Sequence, residues 1–254
     1  MWDVASKLLQ IKLAPLGRQP HGCPAQVKPS WDRLVAAHGS VSGLFDTLHV
    51  LREHAAKTKD PRGRLSEDEL DQIRAAIVFT SAALDACLRR LLRDALPVLI
   101  SAGTDAAGRF TGYLHAERLR GELSKATKDA ITSDDPRGQL IDLYVAHLAG
   151  SSLQSWTDLK KVRDALGLHV NGASIDLRDV RLEGLKDFFI ARNEIAHELD
   201  LVDPSGRGSR SRRHRDMTIV GTHCSDALAV IEAFLRATAT TVKSAGTSAA
   251  SAPA

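Results

Sequence analysis

At 254 residues, with 43% hydrophobic and 26% charged side chains, the chain has an ordinary globular composition and enough length to bury a sizeable core in one compact unit with extensions. No continuous apolar run approaches the ~20 residues of a membrane span, and Met1 to Ala14 lacks the apolar segment and small-residue cleavage site of an export signal. Three cysteines, Cys23, Cys87 and Cys224, are widely spaced without a C-x-x-C pair, which argues against a disulfide scaffold or zinc site and fits a reducing cytoplasm. A formal charge of +3 is too small to require a nucleic-acid partner, but five arginines crowd between Arg207 and Arg215.

Taken in chain order, almost every periodic segment is helical, so the chain reads as all-α, a helical bundle. Trp2 to Leu13 is a short amphipathic stretch, and the loop Gly17 to Pro29 carries Pro20, Gly22 and Pro24. Ser30 is placed as the N-cap of a helix to about Lys57, loosened by Gly39 and Gly43. The Asp60-Pro61-Arg62-Gly63 loop leads to Ser66, whose spacing to Glu69 makes a capping box for the strongest helix. Leu70, Ile73, Ile77, Leu84, Leu88, Leu91 and Leu92 form its apolar stripe and put it at the centre of the bundle.

Helical pieces follow over Thr104 to Thr132, broken by Gly103 and Gly108, and then over Pro136 to Leu148. Ser155 caps a short helix through Leu166, ended by Gly167, and Val170 to Ser174 links it to a long helix from Leu177 to Leu199. Asp203-Pro204-Ser205-Gly206 ends that helix, and the arginine-rich loop follows. The last helix spans Thr222 to Val242, with Ala227, Val230, Ile231, Phe234 and Leu235 apolar. The expected organisation is an N-terminal helical extension over 1–62, a helical domain over 63–243 and a disordered tail over 244–254.

Within the Leu177 to Leu199 helix, the residues Leu182, Leu185, Phe188, Phe189, Ile195, Ala196 and Leu199 make one apolar face, and Arg192 falls inside it. A lone guanidinium does not belong in a dry core, so Arg192 is expected to open onto a cleft, a partner subunit or an anionic ligand. Asn193 and His197, at i and i+4, sit one above the other at the edge of the same face. These three are the candidate catalytic residues. Cleaving RNA without metal needs a base for the 2′-hydroxyl proton, an acid for the leaving 5′-oxygen and positive charge beside the transition state. Histidine and arginine provide those functions near neutral pH, and a second imidazole from a facing copy of the chain would fill the second proton-transfer role.

The run Arg192-Asn193-Glu194-Ile195-Ala196-His197 resembles the R-x4-6-H motif of the HEPN superfamily, the higher eukaryotes and prokaryotes nucleotide-binding proteins. The segment Ser155 to His197 is similar to the short helix, link and motif helix of RiboL-PSP-HEPN-like proteins, and Ile77 to Leu92 is similar to their leading core helix. In that family an acidic residue often stands about where Asp85 does, which makes it a candidate supporting residue. Glu198, directly after His197, departs from the small residue common there. The resemblance covers roughly Glu67 to Val242. It implies a homodimer with two motifs facing across a cleft, metal-independent endoribonuclease activity leaving 2′,3′-cyclic phosphate and 5′-hydroxyl ends, and a toxin or antiphage role; a further alternative is a chain active only after release from an antitoxin or sensor protein.

Arg207, Arg210, Arg212, Arg213 and Arg215 are candidate contacts to an RNA backbone, the alternative being a solvated insertion. Asp85 reads more readily as structural, with a pairing to Arg192 across the bundle as its other role. His21 and Cys23, in H-x-C form, have no second ligand pair nearby, so neither metal nor other cofactor is expected. Gly-rich phosphate loops, nucleophile elbows and H-E-x-x-H patterns are missing from the sequence. The competing function is a catalytically silent helical module that binds RNA or a protein through the same groove.

Overall fold

The computed structural model describes residues 8–57, 65–168, 177–205 and 211–250. The expected loop at Asp60 to Gly63, the link at Val170 to Ser174, and the candidates Arg207 and Arg210 lie outside those residues. The protein is all-α: α1 (Lys28–Ala55), α2 (Glu67–Ser101), α3 (Asp105–Tyr113), a π-helical turn (Leu114–Arg118), α4 (Lys125–Ile131), α5 (Pro136–Gly150), α6 (Trp156–Ala165), α7 (Asp179–Glu183), α8 (Lys186–Glu198) and α9 (Met217–Ala250). Among the described residues the only strand-like feature is one isolated antiparallel bridge between Leu201 and Arg212.

The long helix α2 is the axis of the bundle, with α1, α3, α5, α8 and α9 packed around it. Its capping box forms: the Ser66 amide donates to Glu69 Oε2 at 2.6 Å, and the Glu69 amide donates to Ser66 Oγ at 3.3 Å. All seven residues of its expected stripe are buried, as are Ala227, Val230, Ile231, Phe234 and Leu235 on α9. The first helix is not a separate extension in packing terms. Trp31, Leu34, Val41, Phe45 and Leu48 of α1 join the same core as the rest of the chain.

Several boundaries differ from the sequence reading for identifiable reasons. Ser30 does not cap α1, which starts earlier at Lys28 with proline in its first turn. Its hydroxyl is buried and donates to the Cys87 carbonyl at 3.1 Å, while the Cys87 thiol approaches the Ser30 carbonyl at 3.6 Å, clipping α1 to α2. Gly108 lies inside α3 and does not break it. Ser155 caps α6 as expected, and Gly167 after it adopts φ +69°, a left-handed conformation that suits glycine.

Leu8 to Gly17 is not helical; it runs as a strap over α9 and α1. The Ala14 amide donates to Ser225 Oγ at 3.2 Å and the Gly17 amide to Glu232 Oε2 at 3.1 Å, while the Ala14 carbonyl lies 2.9 Å from His38 Nε2. At Gly221 a side chain would run into Ile11, so this close crossing depends on glycine. The final helix also continues past Val242 to Ala250, making Ser244 to Ala250 helical where disorder was expected.

By length and composition the stretch Met217–Thr247 of α9 could cross a bilayer, with mean hydropathy 1.3, but 56% of the apolar window is buried inside the protein. The interruptions at Thr222, Thr238 and Thr240 conceal this length when only continuous apolar runs are sought.

The cysteines give a direct check on the packing. Burial pushes the thiols of Cys87 and Cys224 up to about 12, whereas Cys23 is only half-buried near the strap. Because the thiolate is the reactive form, a thiol reagent in mildly alkaline buffer is expected to label Cys23 and spare the other two until denaturant is added. Rapid labelling of all three in the native protein would contradict this packing.

Candidate functional site

The helix that carries the motif is two helices. α7 ends at Glu183, Gly184 and Leu185 turn the chain, and α8 then packs against α2 and α9. Phe188, Phe189 and Ala191 are buried, and the two phenyl rings meet edge to face at 5.3 Å between centroids. The apolar face weakens toward the end of α8: Ile195 is half-buried, while Ala196 and Leu199 are exposed. The reading of Ala196 and Leu199 as core is therefore corrected. Leu199 has left the helix at φ 51° and turns its side chain to solvent.

Arg192 emerges half-buried from that face, next to exposed Asn193 and His197. Its Nη1 donates to Asn193 Oδ1 at 2.9 Å and lies 3.4 Å from His197 Nε2. A guanidinium has only donors, so in this contact the imidazole nitrogen is the accepting side. The three candidate catalytic residues are thus brought together on the surface. Asn193 orients the arginine, and Glu198 lies 3.8 Å from Arg213.

Behind the motif lies a network that the sequence reading did not contain. Asp200, completely buried at φ 59°, accepts from Arg74 Nε at 2.9 Å and from Arg215 Nε at 3.3 Å. Arg215 also donates to Glu194 Oε2 at 2.6 Å, inside the motif itself. The Asp200 amide donates to the Glu194 carbonyl at 2.9 Å, and its carbonyl accepts from the Arg213 amide at 2.7 Å. Burial alone would lower the pKa of Arg74, but hydrogen bonds with Asp200, Asp71 and Glu67 outweigh it and hold the guanidinium above its ordinary value. The same balance, with Asp200 and Glu194 as partners, raises Arg215. A hint was present in the sequence: Arg74 sits between Ile73 and Ile77, on the apolar stripe of α2.

The same network takes in the described end of the arginine-rich loop, residues 212–215. Arg212 pairs with Asp71 at 2.8 Å and donates to the Leu199 carbonyl at 3.2 Å. Arg213 pairs with Glu194 at 3.3 Å and also bonds the Leu201 carbonyl, while Arg215 is held as described. These three guanidinium groups are held by carboxylates and carbonyls and tie the described end of the loop to α8 and α2. Sequence shows their density but not the carboxylates, Glu67 and Asp71 among them, that fold back to meet them.

Asp85 is likewise remote from the motif in its bonding. It accepts from the Leu153 amide at 2.8 Å and pairs with Arg89 at 2.7 Å, not with Arg192. Among the described residues no group of three or more His, Cys, Asp or Glu side chains is arranged to hold a metal ion. Comparison of the chain with known protein families, with curated proteins and with solved structures finds no match.

Proposed function

We propose that the protein is a metal-independent endoribonuclease whose site is Arg192, Asn193 and His197 on α8. The observation that carries this reading is the contact of Arg192 Nη1 with both Asn193 Oδ1, at 2.9 Å, and His197 Nε2, at 3.4 Å, on an exposed helix face. An imidazole beside a fixed cation is suited to take the proton from a ribose 2′-hydroxyl. The 2′-oxygen then attacks the adjacent phosphorus, and the bond to the 5′-oxygen breaks. The guanidinium fork stabilises the charge that builds on the phosphate oxygens. The products are a 2′,3′-cyclic phosphate and a 5′-hydroxyl.

One protomer brings one imidazole to Arg192. The proton for the leaving 5′-oxygen is assigned to His197 of a second copy, in a homodimer whose two motifs face each other. The motif's likeness to the HEPN pattern supports the same reading, and with it a cytoplasmic toxin or antiphage role under the restraint of an antitoxin or sensor protein. The test is incubation of the purified protein with total RNA in EDTA, followed by mapping of new ends. New 5′-hydroxyl and cyclic-phosphate ends are expected. Binding without new ends would instead identify a silent RNA-binding module.

A further inference from the structure

The first turns of α8 and α9 do not close on each other. Between them lies a groove of about 420 Å³, with Asp187 and Ile190 on one wall, Ile219 and His223 on the other and His214 at its end. Ile190 is 46% exposed and Ile219 56%, so both walls present uncovered apolar side chains. Ile190 precedes His197 by two helical turns on the same side of α8, about 10 Å along the axis. The groove therefore continues the surface that carries the motif.

Its chemistry does not suit a phosphate. Arg215, at the edge, is committed to Asp200 and to Glu194 at 2.6 Å. The N-terminus of α9 is closed by Asp216, whose Oδ1 accepts from the amides of Thr218 at 2.8 Å and Ile219 at 2.9 Å. Asp187 adds a further carboxylate. Two imidazoles, two isoleucines and two carboxylates, one of them already accepting from the α9 amides, instead suit a flat, uncharged ring with an N–H donor on its edge. The groove's volume is within the roughly 300–1,000 Å³ usual for small-ligand sites.

We propose that the groove holds one unpaired nucleobase of the RNA strand whose phosphodiester is at Arg192 and His197. The base lies between the isoleucines and imidazoles, and Asp187 accepts from its exocyclic amino group. This rests on the endoribonuclease reading and adds to it a substrate class: single-stranded RNA with adenine, cytosine or guanine in the groove in preference to uracil, which has no exocyclic amine.

The test is a titration of histidine-labelled full-length protein, in EDTA, with cytidine 3′-monophosphate and with uridine 3′-monophosphate. Imidazole resonances of His214 and His223 are expected to shift with both, with at least a threefold lower Kd for the cytidine nucleotide, and Asp187→Asn is expected to remove that preference. Ile219→Lys, at an exposed position, should abolish the shifts at His214 and His223 while leaving that at His197. Shifts at His197 alone, or at none of the three, would overturn the base site. Conversion of a dimer to a monomer by Ile219→Lys, with nucleotide binding unchanged, would make the groove a contact between copies and overturn it as well. Nucleotide binding in the groove by a wild-type protein that leaves RNA intact would support the base site and defeat the nuclease reading.

Discussion

His197→Ala is expected to lower RNA cleavage by about 10²–10⁴-fold, the usual contribution of a positioned proton-transfer group. Arg192→Ala should lower it by about 10²–10³-fold through loss of charge stabilisation. Neither side chain is needed for the core, since His197 is exposed and Arg192 only half-buried. Circular dichroism and sedimentation should therefore match the wild type in both variants. Arg192→Lys is expected to remain impaired, because an ammonium cannot present two fixed donors to Asn193 and a phosphate at once. Cleavage retained by either alanine variant would remove α8 as the site of the chemistry.

Asp200→Ala is expected to have the largest effect on stability. Removing one partner of a buried ion pair costs about 3–5 kcal/mol, because the remaining charge loses compensation that water cannot replace. Arg74 is 3% exposed in its side chain and Asp200 0%, so the substitution takes from Arg74 its one fully buried carboxylate, leaving only the exposed Asp71 and Glu67, and takes from Arg215 one of its two anchors, Glu194 being the other. Exposed pairs differ in kind: Lys28→Ala, which removes the ion pair to Asp32 on the surface of α1, should change stability by about 0–1 kcal/mol. Urea unfolding followed by helicity would measure both. A loss below about 1 kcal/mol for Asp200→Ala would show that the network does not hold the end of α8.

The contrast between these two sites marks what the sequence makes legible. Arg192, Asn193 and His197 are close on one helix: Asn193 and His197, at i and i+4, share a face by periodicity, and the long side chain of Arg192 reaches across to both. Ser66 with Glu69, the α2 stripe and the Gly167 stop are equally local, and all form where the pattern puts them. Asp200, Arg74 and Arg215 come from three separate parts of the chain and meet only after α2 and α8 have packed. The anchoring of Arg212 and Arg213 depends on the same long-range pairing. The strap at Leu8 to Gly17 was hidden for a related reason. Its bonds run to Ser225 and Glu232, more than two hundred residues away, and its apolar spacing alone resembles a helix.

The motif helix itself was legible in type and less so in extent. Its apolar phase predicts one continuous helix, yet Gly184 and Leu185 divide it, and the phase fades at Ile195 because the turn beyond is covered by ion pairs instead of core side chains. Arg192 is consequently poised at the border between the buried and exposed faces. That position lets the guanidinium be held by Asn193 and still reach a ligand.

The contact of Arg192 with His197 makes one measurement the most direct: cleavage of a single defined RNA in EDTA by the wild type, Arg192→Ala, His197→Ala and the double variant. Groups that act as a unit at one phosphate lose their effect together, so the double variant is expected to be no slower than the worse single variant. Losses that multiply in the double variant, or a wild type that leaves the RNA whole, would contradict the account.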